Sequence, residues 1–191
     1  MSRPGFRSGV VIGRLEGLWP GLTRPCSIAR MRQILLAVAL LLAVPARAED
    51  DFRSEVLAAH NVERAKEGLP PLVWDPVLAG KAEAWARRLA KLGHLQHAMQ
   101  SGEGENLWMG GQDQFSVTDM VADWIGEKVH YHRGDYPHVS TTGNWEDVGH
   151  YTQIMWRQTE KLGCGQDSGH GHDFLVCRYF PPGNVIGERP F

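Results

Sequence analysis

Leu162-Gly163-Cys164-Gly165-Gln166 and Phe174-Leu175-Val176-Cys177-Arg178-Tyr179-Phe180 are two short runs separated by Asp-Ser-Gly-His-Gly-His-Asp. The separating residues are turn formers, so the pair reads as two strands of a hairpin. Phe174 to Cys177 is continuously apolar rather than alternating. A strand with one wet face alternates, whereas an unbroken apolar run suggests cover on both faces. Helical segments upstream supply that cover. The expected fold class is α+β, a three-layer α-β-α sandwich.

Upstream, Asp51 to Glu67 has a helical pattern, with Phe52, Val56 and Ala59 on one face and Gly68, Pro70 and Pro71 as the stop. Leu72-Val73-Trp74 is a short extended piece. Asp75-Pro76 is a helix start with an acidic N-cap and Pro in the first turn. Leu78, Ala82, Trp85, Leu89 and Leu92 form its stripe, and Gly93 its end. Glu105 to Met109 reads as a strand. Ser116 or Thr118 caps the next helix, whose stripe is Val117, Met120, Val121, Trp124 and Ile125. His130 to Asn144 is a loop punctuated by Gly134, Pro137 and Gly143. Asp147 to Arg157 reads as a short helix carrying Tyr151, Ile154 and Met155.

The first 48 residues belong to no layer. Ile34 to Val44 is eleven apolar residues in a row, short of the roughly 20 that span a bilayer. With Arg30 and Arg32 before it and Ala46-Arg47-Ala48 after it, the stretch reads as a secretory signal cut after Ala48. Residues 31–48 are the expected signal peptide, residues 49–191 the expected mature domain, without a transmembrane anchor after cleavage. Residues 1–30 fit neither, and translation is expected to start at Met31 rather than Met1. Export, to periplasm or extracellular space, follows from the signal.

The chain has 191 residues, 42% hydrophobic and 22% charged, enough for one globular domain with a core. The formal charge of −2 conceals an asymmetry: residues 1–48 hold seven Arg and one acid, leaving 13 basic and 21 acidic residues, near −8, on residues 49–191. That balance argues against a nucleic-acid partner. Cys164 and Cys177 are an even pair in an exported chain and read as a disulfide, with two buried thiols as the alternative. Such a bridge is worth roughly 3 kcal/mol in the chain-entropy model.

All nine histidines lie beyond residue 48. His130, His132 and His138 form one grouping, His170 and His172 another, and His97, His150 and Glu105 a dispersed third. Glu127 falls i+7 from Met120 and i+3 from Trp124, at the edge of an apolar stripe. A half-buried carboxylate needs a partner: Lys128 or an Arg, or else histidines or a metal. There is no HExxH, GxSxG, P-loop or dinucleotide motif.

Gly149-His150-Tyr151-Thr152-Gln153-Ile154-Met155-Trp156 resembles the GH[YF]TQxxW signature of the CAP superfamily, which includes cysteine-rich secretory proteins, antigen 5 and plant pathogenesis-related class 1 proteins. Leu57 to Asn61 with Arg64, Gly68 to Trp74, Gly104 to Leu107, Phe174 to Tyr179 and Pro181 to Asn184 resemble further motifs of that family, in the same order. The resemblance runs from about Phe52 to Phe191 and is closest to minimal, single-domain members. It implies an α-β-α sandwich with a central cleft carrying His97, Glu105, Glu127 and His150. It also implies that His97 and His150 hold a divalent ion such as zinc, with Glu105 and Glu127 orienting the imidazoles. Cysteines for further bridges near Gly102-Glu103 and Thr142-Gly143 are absent.

Two functional classes follow. One is a secreted binding module that takes a divalent cation and a lipid, sterol or cell-envelope ligand, without settled catalysis. The other is a metal-dependent hydrolase of peptides or esters, with Glu105 or Glu127 as general base; against it stands the lack of a third strong protein ligand. A third possibility is a buried polar network that only holds Glu127 in place. His60 reads as structural.

Overall fold

The computed structural model describes residues 49–99 and 102–191. The expected signal peptide, the upstream stretch and Cys26 lie outside them. Among the described residues, no helix is long and apolar enough to cross a membrane.

Helix α1 covers residues 49–66. Strand β1 is Val73–Trp74, and helix α2 runs Pro76–Leu92. Asp75 caps α2 by accepting from the amides of Val77 and Leu78, and Gly93 ends it in the left-handed region. Strand β2 is Gly104–Gly111, longer at both ends than its apolar centre suggested. Helix α3, Val117–Gly126, starts with Ser116 in a reciprocal capping box with Asp119. A 3-10 turn, Trp145–Val148, leads into helix α4, Gly149–Ile154. Strands β3, Lys161–Gly169, and β4, His172–Phe180, complete the sheet.

The sheet order is β1-β3-β4-β2, with β1 parallel to β3 and the other pairs antiparallel. Strand β4 is central and buried on both faces. Phe174 and Val176 pack with Leu107 against Ala82, Ala86 and Leu89 of α2. Leu175, Cys177 and Tyr179 face Val56 of α1, Val121 and Trp124 of α3, and Ile154 of α4. The α-β-α sandwich is thus realised, and Cys164 and Cys177, opposite in register, are joined by a disulfide.

Helix α2 lies unusually close to β3. A Cβ at Gly163 would strike backbone atoms of Leu78 and Ala79; at Gly165, the backbone of Glu83; at Gly169, that of Ala90. Three missing side chains let the helix sit directly on the strand.

Two boundaries differ from the sequence reading. The seven-residue connection is a two-residue turn, because β3 and β4 stay paired out to Gly169 and His172. His170 and Gly171 both have positive φ, 55° and 77°, the conformation that matches strand twist in a tight hairpin. The helix expected over Asp147 to Arg157 is instead a 3-10 turn followed by the six residues of α4. Asn144 caps the first by accepting from the Glu146 amide at 3.2 Å. The end of α4 is captured from outside. Arg64 of α1, fully buried, donates to the carbonyls of Ile154 at 2.7 Å, Trp156 at 2.9 Å, Thr159 at 3.3 Å and Pro70 at 2.8 Å.

Candidate functional site

Strand β2 is an edge of the sheet, and a cleft of about 530 Å³ opens along its first residues. His97, Glu105 and His150 line it; Glu127 stands behind His150. The four residues split into two pairs that come from different layers.

The first pair belongs to the α2 side. Glu105 lies opposite Arg178 in the register, on the same face as Leu107. Its Oε1 accepts from His97 Nδ1 at 2.8 Å and from the Ala98 amide at 3.0 Å. Its Oε2 accepts from Arg178 Nη2 at 2.9 Å. Arg178 also donates from Nη1 to Glu103 at 3.0 Å, and Glu103 is paired with Lys81 of α2 as well. Burial alone would raise the Glu103 carboxyl, but Lys81 and Arg178 outweigh it and hold it below the usual range. Trp85 Nε1 donates to the Gln96 carbonyl at 2.9 Å and anchors the segment that carries His97.

The second pair belongs to the other layer. Glu127 is the C-cap of α3, at the start of a short 3-10 turn, so it does face inward, as its place beside the apolar stripe predicted. Its Oε1 accepts from His150 Nδ1 at 2.5 Å, and its Oε2 from the amides of His150 at 2.9 Å and Tyr151 at 3.0 Å. The alternative partner, Lys128, bonds Glu63 instead, at 3.2 Å. Trp124 stacks on the His150 ring at 5.9 Å and 19°.

A carboxylate oxygen only accepts, so each Nδ1 carries a proton, and in the neutral form of each ring the lone pair lies on Nε2. Two imidazoles of one cleft are therefore held in the tautomer that binds a metal through Nε2. Among the described residues no three His, Cys, Asp or Glu side chains are grouped to hold an ion. An ion on His97 and His150 would take its other ligands from water or from a bound molecule.

The other histidine groupings are not gathered into three-ligand clusters among the described residues. His132 Nδ1 lies 3.1 Å from the Arg133 carbonyl, His172 Nδ1 lies 3.0 Å from that of His170, and the His170 ring sits against Gly93. His60 is structural, as read. Its Nδ1 donates to the Val56 carbonyl at 2.8 Å, which leaves Nε2 to accept from the Tyr179 hydroxyl at 2.9 Å. That hydroxyl accepts from Asn106, whose Nδ2 lies 3.2 Å from it and 3.1 Å from the His150 carbonyl.

Sequence reasoning missed Arg178, Glu103 and Asn184. Asn184 donates to the Gly149 carbonyl at 2.9 Å and accepts from Thr152 Oγ1 at 2.7 Å, pinning the start of α4. The signal for Arg178 was present: a cation inside the apolar run Phe174 to Tyr179 must meet an acid once buried.

The cysteine-rich secretory protein family model matches residues 57–179. The chain is 38% identical over 160 residues to pathogenesis-related leaf protein 4 of Solanum lycopersicum, covering 83% of this chain and 96% of that one. It is 36% identical over 140 residues to pathogenesis-related protein 1C of Nicotiana tabacum, covering 73% and 80%. Among solved structures it is similar to NaASP2 with Zn2+, with TM-score 0.59 and 24% identity over 73% of this chain and 84% of that one. Na-ASP-1 has the same TM-score with 26% identity, over 73% and 41%.

Proposed function

The chain belongs to the cysteine-rich secretory protein (CAP) family, and from that premise we propose that it is an exported binding protein whose cleft takes a divalent cation on His97 and His150. The observation that carries this reading is the pair of fixed tautomers, each Nδ1 spent on a carboxylate and each Nε2 free. Zinc accepts imidazole nitrogen readily, and the fold neighbour NaASP2 has been crystallised with it. When bound, the ion would supply Lewis acidity and open coordination positions for an acidic or carbonyl group of a ligand.

A lipid or sterol is the proposed second ligand. A groove of about 460 Å³ between α1 and α3 has a floor of Ala58, Ala59, Val62, Ala122 and Ile125, with Lys66 and Lys128 beside it. Val62 is 62% exposed there, an apolar side chain that an acyl chain or a steroid ring would cover.

The hydrolase alternative meets a specific obstacle. A general base needs a lone pair open to the attacking water, and three accepted hydrogen bonds leave a carboxylate about one. Both oxygens of Glu105 and both of Glu127 already accept from the protein. The geometry fits carboxylates that orient imidazoles better than carboxylates that move protons.

Calorimetric titration of zinc into the mature domain, beside a folded His97→Ala/His150→Ala variant, tests the metal. One site, lost in the variant, is expected; unchanged binding would move the ion elsewhere and sink the reading. For the lipid, a fluorescent fatty acid should bind the wild type and be blocked by Ala122→Trp.

A further inference from the structure

The lining of the same cleft also includes Tyr136, Trp145 and Glu146. Trp145 is 42% exposed, yet its ring is held. It meets Tyr136 edge to face at 5.6 Å, and a Cβ at Gly149 would stand 3.4 Å from it. Glu146 follows on the same 3-10 turn and faces solvent. Among the described residues its carboxylate has no hydrogen-bond or ion-pair partner, whereas Glu103 and Glu105 are both spent on Arg178. The Tyr136 hydroxyl is likewise without a protein partner among the described residues. Burial, and then the charge of Glu146, push that phenol up to about 12, so it stays a donor. No Lys or Arg lines the cleft.

We propose that the Tyr136-Trp145-Glu146 corner is a subsite for a small organic cation, an alkylated or quaternary ammonium group. The face of an indole attracts cations through its quadrupole, more strongly than a phenyl ring does. An unspent carboxylate on the next residue supplies the full charge, and an alkylated ammonium, being weakly hydrated, gives up little to meet the ring. An anion in this corner would meet the Glu146 charge with no Lys or Arg in the cleft lining to offset it. A neutral polyol could stack on the indole but would gain nothing from the carboxylate charge. The subsite extends the binding reading of the same cleft and does not need the metal.

The test uses the purified protein with a chelator present. Choline is titrated while the indole N–H resonance of Trp145 is followed, with neutral 3,3-dimethylbutan-1-ol as the isostere. Saturable choline binding is expected, with the neutral isostere at least about fivefold weaker. Glu146→Gln and Trp145→Leu should each weaken choline at least about fivefold, with Trp145→Phe between Leu and wild type. The exposed Glu146→Gln keeps the test decisive if Trp145→Leu fails to fold. Absence of a choline response, equal binding of the isostere, or unchanged binding in Glu146→Gln overturns the proposal. Phosphatidylcholine vesicles that compete with free choline assign the group to a lipid headgroup, and vesicles that do not assign it to a soluble cation. Zinc binding is scored separately, so failure of this subsite leaves the His97/His150 result intact, and the reverse.

Discussion

Arg64 concentrates more structure than any other single side chain described. It is a buried cation satisfied by four carbonyls rather than by a carboxylate, and burial lowers its guanidinium to about 10. Arg64→Met would strand those acceptors in the core, at a cost on the order of 4 kcal/mol. Urea unfolding should show it, and Arg64→Lys should recover only part, since one ammonium lacks the planar fork. His60 sets a pH limit. Burial depresses its pKa from 6.5 to about 4, so the unfolded chain takes up a proton that the folded chain refuses. Stability contributed by neutral His60 is complete above pH 6.5 and is lost as pH falls toward 4, on the order of 3 kcal/mol in all. Denaturation midpoints at pH 7 and pH 5 should differ accordingly, and His60→Gln should flatten that part of the profile.

Elements show where sequence was informative. The ends of α2 were legible because Asp75 and Gly93 act locally, and the double cover of β4 was legible because its apolar run needed no partner to be read. The end of α4 was not, since Arg64, 90 residues earlier, stops it. The tight hairpin was hidden for a related reason: polar Asp167, Ser168 and Asp173 pair as strand although they look like turn. Within the candidate site, family motifs are what singled out the four His and Glu residues. Their division into two pairs depended on register, which only the assembled sheet displays. Glycines of β3 give a prediction at this scale. Gly165→Ala pushes a methyl into the backbone of Glu83 and should cost well over the ~1 kcal/mol expected for Gly171→Ala, where only the positive φ is at stake. Equal melting temperatures for the two variants would refute this account of α2 packing.

For the molecule as a whole, the cleft sits where two separate cores meet an edge strand. His97 follows α2 on one side of the sheet, and His150 belongs to α4 on the other. An ion held by both would couple the two layers and oppose global unfolding, by about 2.7 kcal/mol at a hundredfold excess over Kd. Thermal unfolding with and without zinc measures it. No rise would favour a network that serves only to hold Glu127. The disulfide lies within one sheet, between neighbouring strands, so reduction should remove about 3 kcal/mol while leaving the cleft residues in place.

The clamp on Arg64 has a temporal side. It closes a span of 90 residues with nothing but hydrogen bonds, so its formation requires no oxidant. The single cystine fastens only strands that already adjoin. On the proposal that the chain is exported, and if it crosses the membrane unfolded, folding and translocation compete in the cytosol. Weakening Arg64 should then raise the yield of exported protein even as it lowers the stability of what arrives.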